Sequence, residues 1–473
     1  MSRRASLLAL VAVLVRTAGA LMVRVVDSDS ARDLQMAGLI GQGRFADALR
    51  LPTPTPPLHP FLTALLDLPV GNLLFAGVAV SVLLGGLAVL PLYAMARRVW
   101  EERIATTAGL LYALLPAIVD LHVEAMTEGT FMFFFLGAMA LGWKALEEQS
   151  WEQTVVTAAC AALAWLSRPE GIYLLPLFVL ASVLRFSRFS PLALGIFAVV
   201  WTVLAMPYLS FIHAETGHWR PTLSAIPTIY TDYFSGKGNP ALALQDYSEY
   251  RAVARHGVLL GGGGHLLSNF FGKVLFYALG PFLLLGLVEP RPSTGQRPLL
   301  IYGWIAAAGY LIPIALSFVV SAPFSHRFLV VPAALLLPTV AAGLARAADR
   351  TRRKEALPLF VGALCLVMAV RDLRPRRTDK LGAKEAGLAV LEALGPGKRV
   401  YSSLRALEFY ARSEHADEGV QADAVAFCMP ELRDSDQPLL QSLERQARLL
   451  GEFPSPPRRG VLPVRVYIRK QPR

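Results

Sequence analysis

From Ala5 onward the chain reads as long apolar segments broken by short polar loops. Eleven are predicted as membrane helices, near Ala5–Val26, Asn72–Ala96, Ile104–Val119, Glu128–Leu146, Thr154–Leu166, Gly171–Leu184, Leu192–His213, Phe270–Val288, Leu299–Val320, Phe328–Ala345 and Ala356–Val370. A helix that spans a bilayer needs about 20 residues, so the segments ending at Leu166, Leu184 and Val370 are short and read as tilted or re-entrant. The first segment carries Arg16, which must snorkel or face a polar cavity. Arg3, Arg4, the apolar run and Ala18-Gly19-Ala20 also fit a cleaved signal sequence, the alternative to a first membrane helix.

Beyond Arg371 the pattern changes. Lys380–Leu394 has helical periodicity and ends at Gly395-Pro396-Gly397, a stop signal. Arg399–Ser403 reads as a strand, Leu404–Ala411 and Pro438–Leu450 as helices, and Pro463–Arg469 alternates like a terminal strand. The expected fold is a polytopic α-helical membrane protein of about eleven transmembrane helices, residues 1–371, followed by a small α/β domain, residues 372–473.

Composition supports this reading. Of 473 residues 54% are hydrophobic and only 17% charged, and mean hydropathy is +0.46. Soluble domains carry roughly 25% charge. The net charge of +11 is no sign of nucleic-acid binding, because the Lys and Arg residues sit in short loops and the tail. Alternate loops, counted from the N-terminus, hold Arg97, Arg98, Arg103, Lys144, Arg185, Arg188, Arg291, Arg297, Arg346, Arg350, Arg352, Arg353 and Lys354, whereas the short loops opposite hold Arg168 and Arg327. By the positive-inside rule the N-terminus is cytoplasmic, and an odd number of spans puts the C-terminal domain outside the cytoplasm of an inner (plasma) membrane. Three cysteines, Cys160, Cys365 and Cys428, are too few for a disulfide framework.

This topology gathers unusual polar residues at the outer face. They are Asp27, Asp29 and Asp33 in the first outer loop, His122, Glu124 and Glu128 in the next, then Arg168 with Glu170, and His326 with Arg327. Any one of them suits a solvated or capped helix end; four loops together suit that less well. Asp29 and Asp33 are four apart, as are Glu124 and Glu128, so each pair shares a face if helical. A carboxylate near the membrane loses hydration, which raises its pKa and makes it a better base. For Asp33, capping or solvation is the expected role. Arginine binds phosphate with a flat fork of donors, so Arg168 and Arg327 suit a lipid phosphate at the headgroup plane, with headgroup anchoring as the plain alternative. His122 and His326 are possible bases or metal ligands, although two histidines in separate loops make no site by spacing. The long loop 213–269, with Trp219, Tyr230, Tyr233, Tyr247, Tyr250 and the Gly261–Gly264 run, reads as a lid or interfacial segment.

The chain resembles the GT-C class of polytopic glycosyltransferases, and within it bacterial members of glycosyltransferase family 39, which includes protein mannosyltransferases and lipid A aminoarabinose transferases. The matching pieces are the first-loop acid followed by Ala37 and Gly43-Arg44-Phe45, then Pro56-Pro57-Leu58-His59-Pro60, Met126-Thr127-Glu128, Ser167-Arg168-Pro169-Glu170-Gly171, and His326-Arg327-Phe328 through Pro332. The resemblance implies a polyprenyl-phosphate sugar as donor, with transfer to a lipid, glycan or protein acceptor on the outer face. It implies Asp29, or failing that Asp27, as first-loop catalytic acid and Glu128 as a second acid. Arg168, Arg327 and His326 are then candidates to bind the donor phosphate, and His59, Glu124 and Glu170 candidates for acceptor or pocket contacts. No metal ligands are assigned, and a divalent cation stays open as a cofactor. Asp33 stands where the family commonly has tyrosine, and His59 where an aromatic is usual. The absence of a Trp-Trp-Asp motif argues against an oligosaccharyltransferase. The rival reading is a transporter or lipid flippase whose outer acids and arginines line a substrate path, although the chain shows no paired hydropathy halves.

Overall fold

The computed structural model describes residues 2–51, 55–184, 190–222, 263–288, 292, 297–320, 326–350, 356–402, 405–415, 421–429, 437–455, 458 and 461–469. Its first part is helical: α1 Arg3–Ala20, α2 Ser28–Gly41, α3 Phe45–Leu49, α4 Leu58–Val70, α5 Leu73–Leu87, α6 Val89–Val99, α7 Glu102–Leu114, α8 Pro116–His122, α9 Thr127–Glu148, α10 Trp151–Ser167, α11 Leu174–Leu184 and α12 Pro191–Thr216. Helices Gly280–Val288, Arg297–Val320, Val330–Arg350 and Ala356–Asp372 follow. Among the described residues four stretches are long and apolar enough to cross a membrane: Leu73–Val99, Thr127–Glu148, Pro191–Thr216 and Arg327–Arg350. A fifth is added if α7 and α8, bent by 54°, form one broken span. The bend falls at Pro116, which cannot donate the backbone hydrogen bond that would continue α7.

Helix starts follow local chemistry. Asn72 caps α5 by accepting from the Phe75 N–H at 3.0 Å, and Ser150 caps α10 by accepting from Gln153 at 3.2 Å. One apolar core runs through the bundle, with Trp143, Trp165, Phe131 and Phe135 among its largest buried side chains. Arg16 neither snorkels nor faces a polar cavity. It is fully buried, donating to the carbonyls of Ala12 (3.0 Å), Ala113 (3.2 Å) and Tyr112 (3.3 Å) and to Nδ1 of His122 (3.1 Å).

The C-terminal part carries a five-stranded mixed sheet: β1 Arg399–Ser402, β2 Glu414–His415, β3 Ala424–Cys428, β4 Ala447–Phe453 and β5 Val464–Arg469, in the order β2-β1-β3-β5-β4. β1 is parallel to β2 and β3; β5 is antiparallel to β3 and β4. Helices Leu381–Leu394, Arg405–Ala411 and Gln437–Gln446 accompany it. The third is shorter than its sequence pattern suggests. From Ala447 the chain turns into β4, where pairing along β5 outweighs helical propensity.

The sheet-bearing part is tied to the bundle. Arg24 N–H donates to the Arg376 carbonyl at 3.2 Å and Arg376 N–H to that of Met22 at 3.0 Å. Phe409 and Tyr410 pack against Val26, Ala31 and Leu34, so this part sits over the start of α2.

Candidate active site

Asp27 ends an extended stretch and caps α2, its carboxylate accepting from the Asp29 N–H at 3.3 Å. With the helix started there, Asp29 and Asp33 fall on one side, as their spacing predicts. Arg32 joins them, its guanidinium lying 3.3 Å from Asp29 and 3.1 Å from Asp33. Thr55 donates to Asp33 at 2.9 Å. Asp33 is therefore neither a cap nor solvated: it is buried inside α2, and burial pushes its carboxyl up to about 6 against the pull of Arg32 and Thr55. A second guanidinium, from Arg327, pairs with the other oxygen of Asp29.

Glu128 and Arg168 reach the same place from α9 and α10. Ser81 on α5 fixes the approach by donating to the Met126 carbonyl (2.7 Å) and accepting from the Met126 N–H (3.1 Å). α9 then crosses α5 so closely that a Cβ at Gly129 would lie 2.5 Å from the Ser81 carbonyl oxygen. Only glycine allows that contact, and Glu128 is the residue before it. At the end of α10, Pro169 starts a 3₁₀ turn that folds back on the helix; a Cβ at Gly171 would lie 2.3 Å from the Trp165 nitrogen. This turn directs both Arg168 and Glu170 inward. Arg168 bonds Glu128 at 2.5 Å and Glu170 at 2.9 Å. The Phe328 ring lies between the two arginines, 5.8 Å from the Arg168 guanidinium carbon and 5.6 Å from that of Arg327. Buried Tyr310 lines a small cavity with Glu128, Arg168, Arg327 and Phe328.

The electrostatics correct one expectation. Burial does push the Asp29 carboxyl upward, but Arg327, Arg32 and Arg168 outweigh it, and the pKa lies below the ordinary value. Asp29 is thus a firmly ionised carboxylate held by arginines rather than a base made strong by desolvation. Glu170 is likewise held down, Arg168 outweighing its burial.

The remaining candidates separate from this cluster. Asp27 and Glu124 form a second one, with cations from the C-terminal part: Lys380 lies 2.8 Å from Asp27, and Arg377 lies 3.5 Å from Asp27 and 2.8 Å from Glu124. Burial lifts Glu124 to about 7 despite Arg377, whereas in Asp27 the pull of Arg377 and Lys380 exceeds the effect of burial and the pKa falls. His59 is buried at the start of α4, its Nδ1 3.0 Å from the Thr130 hydroxyl, two residues beyond Glu128. His326 opens a 3₁₀ turn, and its side chain lies outside the described residues. His122 accepts from Arg16, so its Nδ1 is neither base nor metal ligand. Among the described residues no group of three or more His, Cys, Asp or Glu side chains is placed to hold a metal ion. In the expected lid, Trp219 stacks on His213 with ring centroids 4.4 Å apart. Tyr230, Tyr233, Tyr247, Tyr250, Gly261 and Gly262 lie outside the described residues.

Phe328, part of the His326-Arg327-Phe328 motif, completes the cluster with Arg32, Thr55 and Tyr310, which are not among the residues the sequence singles out. Arg32 had a signal, an arginine between two acids spaced for one helix face. Thr55 and Tyr310 had none, because only tertiary structure brings them near.

The sequence profile of the family described as dolichyl-phosphate-mannose-protein mannosyltransferase matches residues 54–211, about a third of the chain, which include Glu128, Arg168 and Glu170. No curated protein matches in sequence. Among solved structures the chain is similar to ArnT from Cupriavidus metallidurans bound to undecaprenyl phosphate (16% identity, TM-score 0.62) and to the same protein in the apo state (16%, 0.64), in each case over 98% of this chain and 97% of that one. It is also similar to the Archaeoglobus fulgidus oligosaccharyltransferase complexed with Zn and sulfate (14% identity, TM-score 0.57, 89% of this chain and 63% of that one). The chain has the ArnT-like fold of a multi-pass membrane protein with a small C-terminal mixed sheet.

Proposed function

We propose that the chain is an inverting membrane glycosyltransferase that moves a sugar from a polyprenyl-phosphate donor to an acceptor hydroxyl. The observation that carries this reading is the convergence of the Asp29 and Glu128 carboxylates with Arg168 and Arg327 from four separate loops. Catalysis then follows from competition for the arginines. A donor phosphodiester offers Arg168 and Arg327 a better bidentate partner than a lone carboxylate. As Arg327 turns to the phosphate, Asp29 loses its strongest cation, so its basicity rises when the donor is in place. The acceptor oxygen attacks the anomeric carbon from the face opposite the phosphate, its proton passes to Asp29, and the carbon–oxygen bond to polyprenyl phosphate breaks. Arg168 and Arg327 stabilise the charge that gathers on the leaving phosphate. Glu128 and Glu170 hold Arg168 in position.

The same reading places about eleven spans in residues 1–371, the N-terminus in the cytoplasm, and residues 372–473 outside the inner membrane. The ArnT structure with undecaprenyl phosphate supports a polyprenyl phosphate as the donor carrier.

The test is transfer from a panel of radiolabelled polyprenyl-phosphate sugars by purified protein in lipid nanodiscs, with Asp29→Asn and Glu128→Gln beside the wild type. Release of polyprenyl phosphate by wild type and its loss in Asp29→Asn is the expected result. No turnover of any donor by folded protein would instead favour the transporter.

A further inference from the structure

Arg32 serves two carboxylates unequally. It places Nε (3.2 Å) and Nη2 (3.1 Å) together on one oxygen of Asp33, while Asp29 receives only Nη1, at 3.3 Å. A guanidinium can do this because its donors are fixed in one plane. The two acids are not equally placed for chemistry. The Asp29 side chain is 29% exposed and that of Asp33 only 2%. Asp33 is enclosed by α4, which packs on α2, and by Thr55, whose hydroxyl donates to the same Asp33 oxygen at 2.9 Å. A carboxylate so enclosed meets no substrate. It can act only through the group it holds, and that group reaches Asp29.

Once Arg168 and Arg327 are drawn to a donor phosphate, Arg32 is the one left of the three arginines that hold Asp29 ionised. Were Asp33 uncharged, Arg32 could turn its fork to Asp29 and pair both oxygens. That geometry stabilises a carboxylate most and makes it the poorest base. An ionised Asp33 keeps two of those donors occupied. Asp33 is also where this chain departs from the family pattern, so no role is carried over to it from the resemblance.

We infer that Asp33 is a positioning residue for the transfer step: by holding the fork of Arg32 it leaves Asp29 a single contact and keeps it basic enough to take the acceptor proton. This rests on the glycosyltransferase reading and adds to it the residue that keeps its base available.

Asp33 titrates where this control can be read. Burial is the main cause that lifts its carboxyl to about 6; Arg32 and Thr55 oppose it, and the charges of Asp29 and Glu128 add to it. The elements packed on α2 bring few other groups. His59 on α4 is kept uncharged, burial pushing its ring down to about 3. Asp67 lies toward the far end of the same helix, and Asp47 on α3 is paired with Arg44 at 2.8 Å. α5 has no titratable residue. Helix Arg405–Ala411 brings Glu408, Tyr410 and Arg405, the last within electrostatic reach of Arg32 and Asp29. As pH falls through 6, Asp33 takes a proton, Arg32 is released to Asp29, and transfer slows. Activity therefore rises with pH across that range.

The test is the pH profile of kcat, from pH 5 to 8, for polyprenyl phosphate release by the full-length protein in nanodiscs at saturating donor. Wild type is expected to show an acidic limb near pH 6. Asp33→Asn keeps the size of the side chain and an acceptor for Arg32 but not the charge. It is expected to lower kcat at pH 8 by roughly five- to tenfold, with the donor KM within about twofold, and to remove the limb from this range. Thr55→Val withdraws the hydroxyl that stabilises the Asp33 carboxylate, and is expected to move the limb upward by about half a pH unit. A loss of packing does not produce such opposed effects. Glu124 also titrates in this range but belongs to the second cluster, so Glu124→Gln is expected to leave the limb in place. A limb unmoved in both Asp33→Asn and Thr55→Val overturns the role of Asp33 and leaves the enzyme reading intact. If Asp33→Asn does not fold, an unmoved limb in Thr55→Val overturns it alone. No release by folded wild type at any pH overturns the enzyme reading, and this role with it.

Discussion

Two acid–arginine clusters lie side by side, and they are built differently. In one, Asp29, Asp33, Glu128 and Glu170 meet Arg32, Arg168 and Arg327, all from the helical bundle. In the other, Asp27 and Glu124 meet Arg377 and Lys380, which enter from the C-terminal part. Asp29 follows Asp27 by two positions, and Glu128 follows Glu124 by four. The first cluster gathers cations that a phosphate can claim; the second uses up its acids in fastening one part of the chain to another. Proximity in sequence is thus a poor guide to shared work, and the side from which the counter-ion arrives is a better one.

The sharpest way to break the comparison is to neutralise the two aspartates separately. Asp29→Asn is expected to lower kcat by roughly 10²–10⁴-fold, the usual worth of a general base, with little change in thermal stability. Asp27→Asn keeps a good helix cap and is expected to leave kcat within a few fold. Equal inactivation in the donor-release assay would merge the clusters.

Arg168→Ala should strike both binding and stability, because it leaves Glu128 and Glu170 buried and unpaired. A loss of roughly 3–5 kcal/mol is expected for breaking such a buried pair. Arg168→Lys keeps the charge but not the fork. It is expected to recover most of the stability in thermal melts while the KM for the donor stays raised. Recovery of KM as well would show that charge alone is what the site needs.

In the second cluster, Arg377→Ala with Lys380→Ala should loosen the C-terminal part more than it slows chemistry. Hydrogen exchange across Leu381–Leu394 is the readout, with at least tenfold faster exchange expected. Unchanged exchange would mean that the backbone pairing of Arg24 with Arg376 and the packing of Tyr410 suffice.

The smallest effect is one of pH. Burial raises the Glu124 carboxyl from its ordinary value of 4.5 to about 7 in the folded protein. The folded state therefore binds more protons between those values, and attachment is firmest below pH 4.5 and weakens as pH rises through 7. Asp33, raised from 3.8 to about 6, acts in the same direction. Asp27, with a lowered pKa, acts oppositely and only at more acidic pH. Hydrogen exchange of Leu381–Leu394 should accelerate from pH 5 to 8 in wild type, and less so in Glu124→Gln. A flat wild-type profile would remove Glu124 from the fastening.

Hydropathy made the helical bundle legible, and the Gly-Pro-Gly stop marked the end of helix Leu381–Leu394. Charge placement made Asp29, Glu128, Arg168 and Arg327 visible as a group. The division of labour between Asp27 and Asp29 was not, because it depends on Arg377 and Lys380, more than 300 residues away. β3 was also hidden: Ala424–Cys428 is buried along its whole length, so the alternation that marks a half-buried strand is absent. Asp33 was misjudged for a related reason, since its burial depends on Thr55 and the packing of α4 against α2.

The fully buried Arg16 has a consequence for how the protein is made. A charged arginine in apolar surroundings is costly unless its donors are satisfied. Apart from the Ala12 carbonyl of its own helix, its partners are the Tyr112 and Ala113 carbonyls and His122, the last of these 106 residues further along. While the chain is being synthesised, α1 must therefore wait with most of its guanidinium donors unsatisfied until α7 and α8 emerge. The bend at Pro116 is then a receptor for the first helix, and a ribosome paused before residue 122 would carry an amino-terminal segment still free to slide, tilt or leave the bilayer.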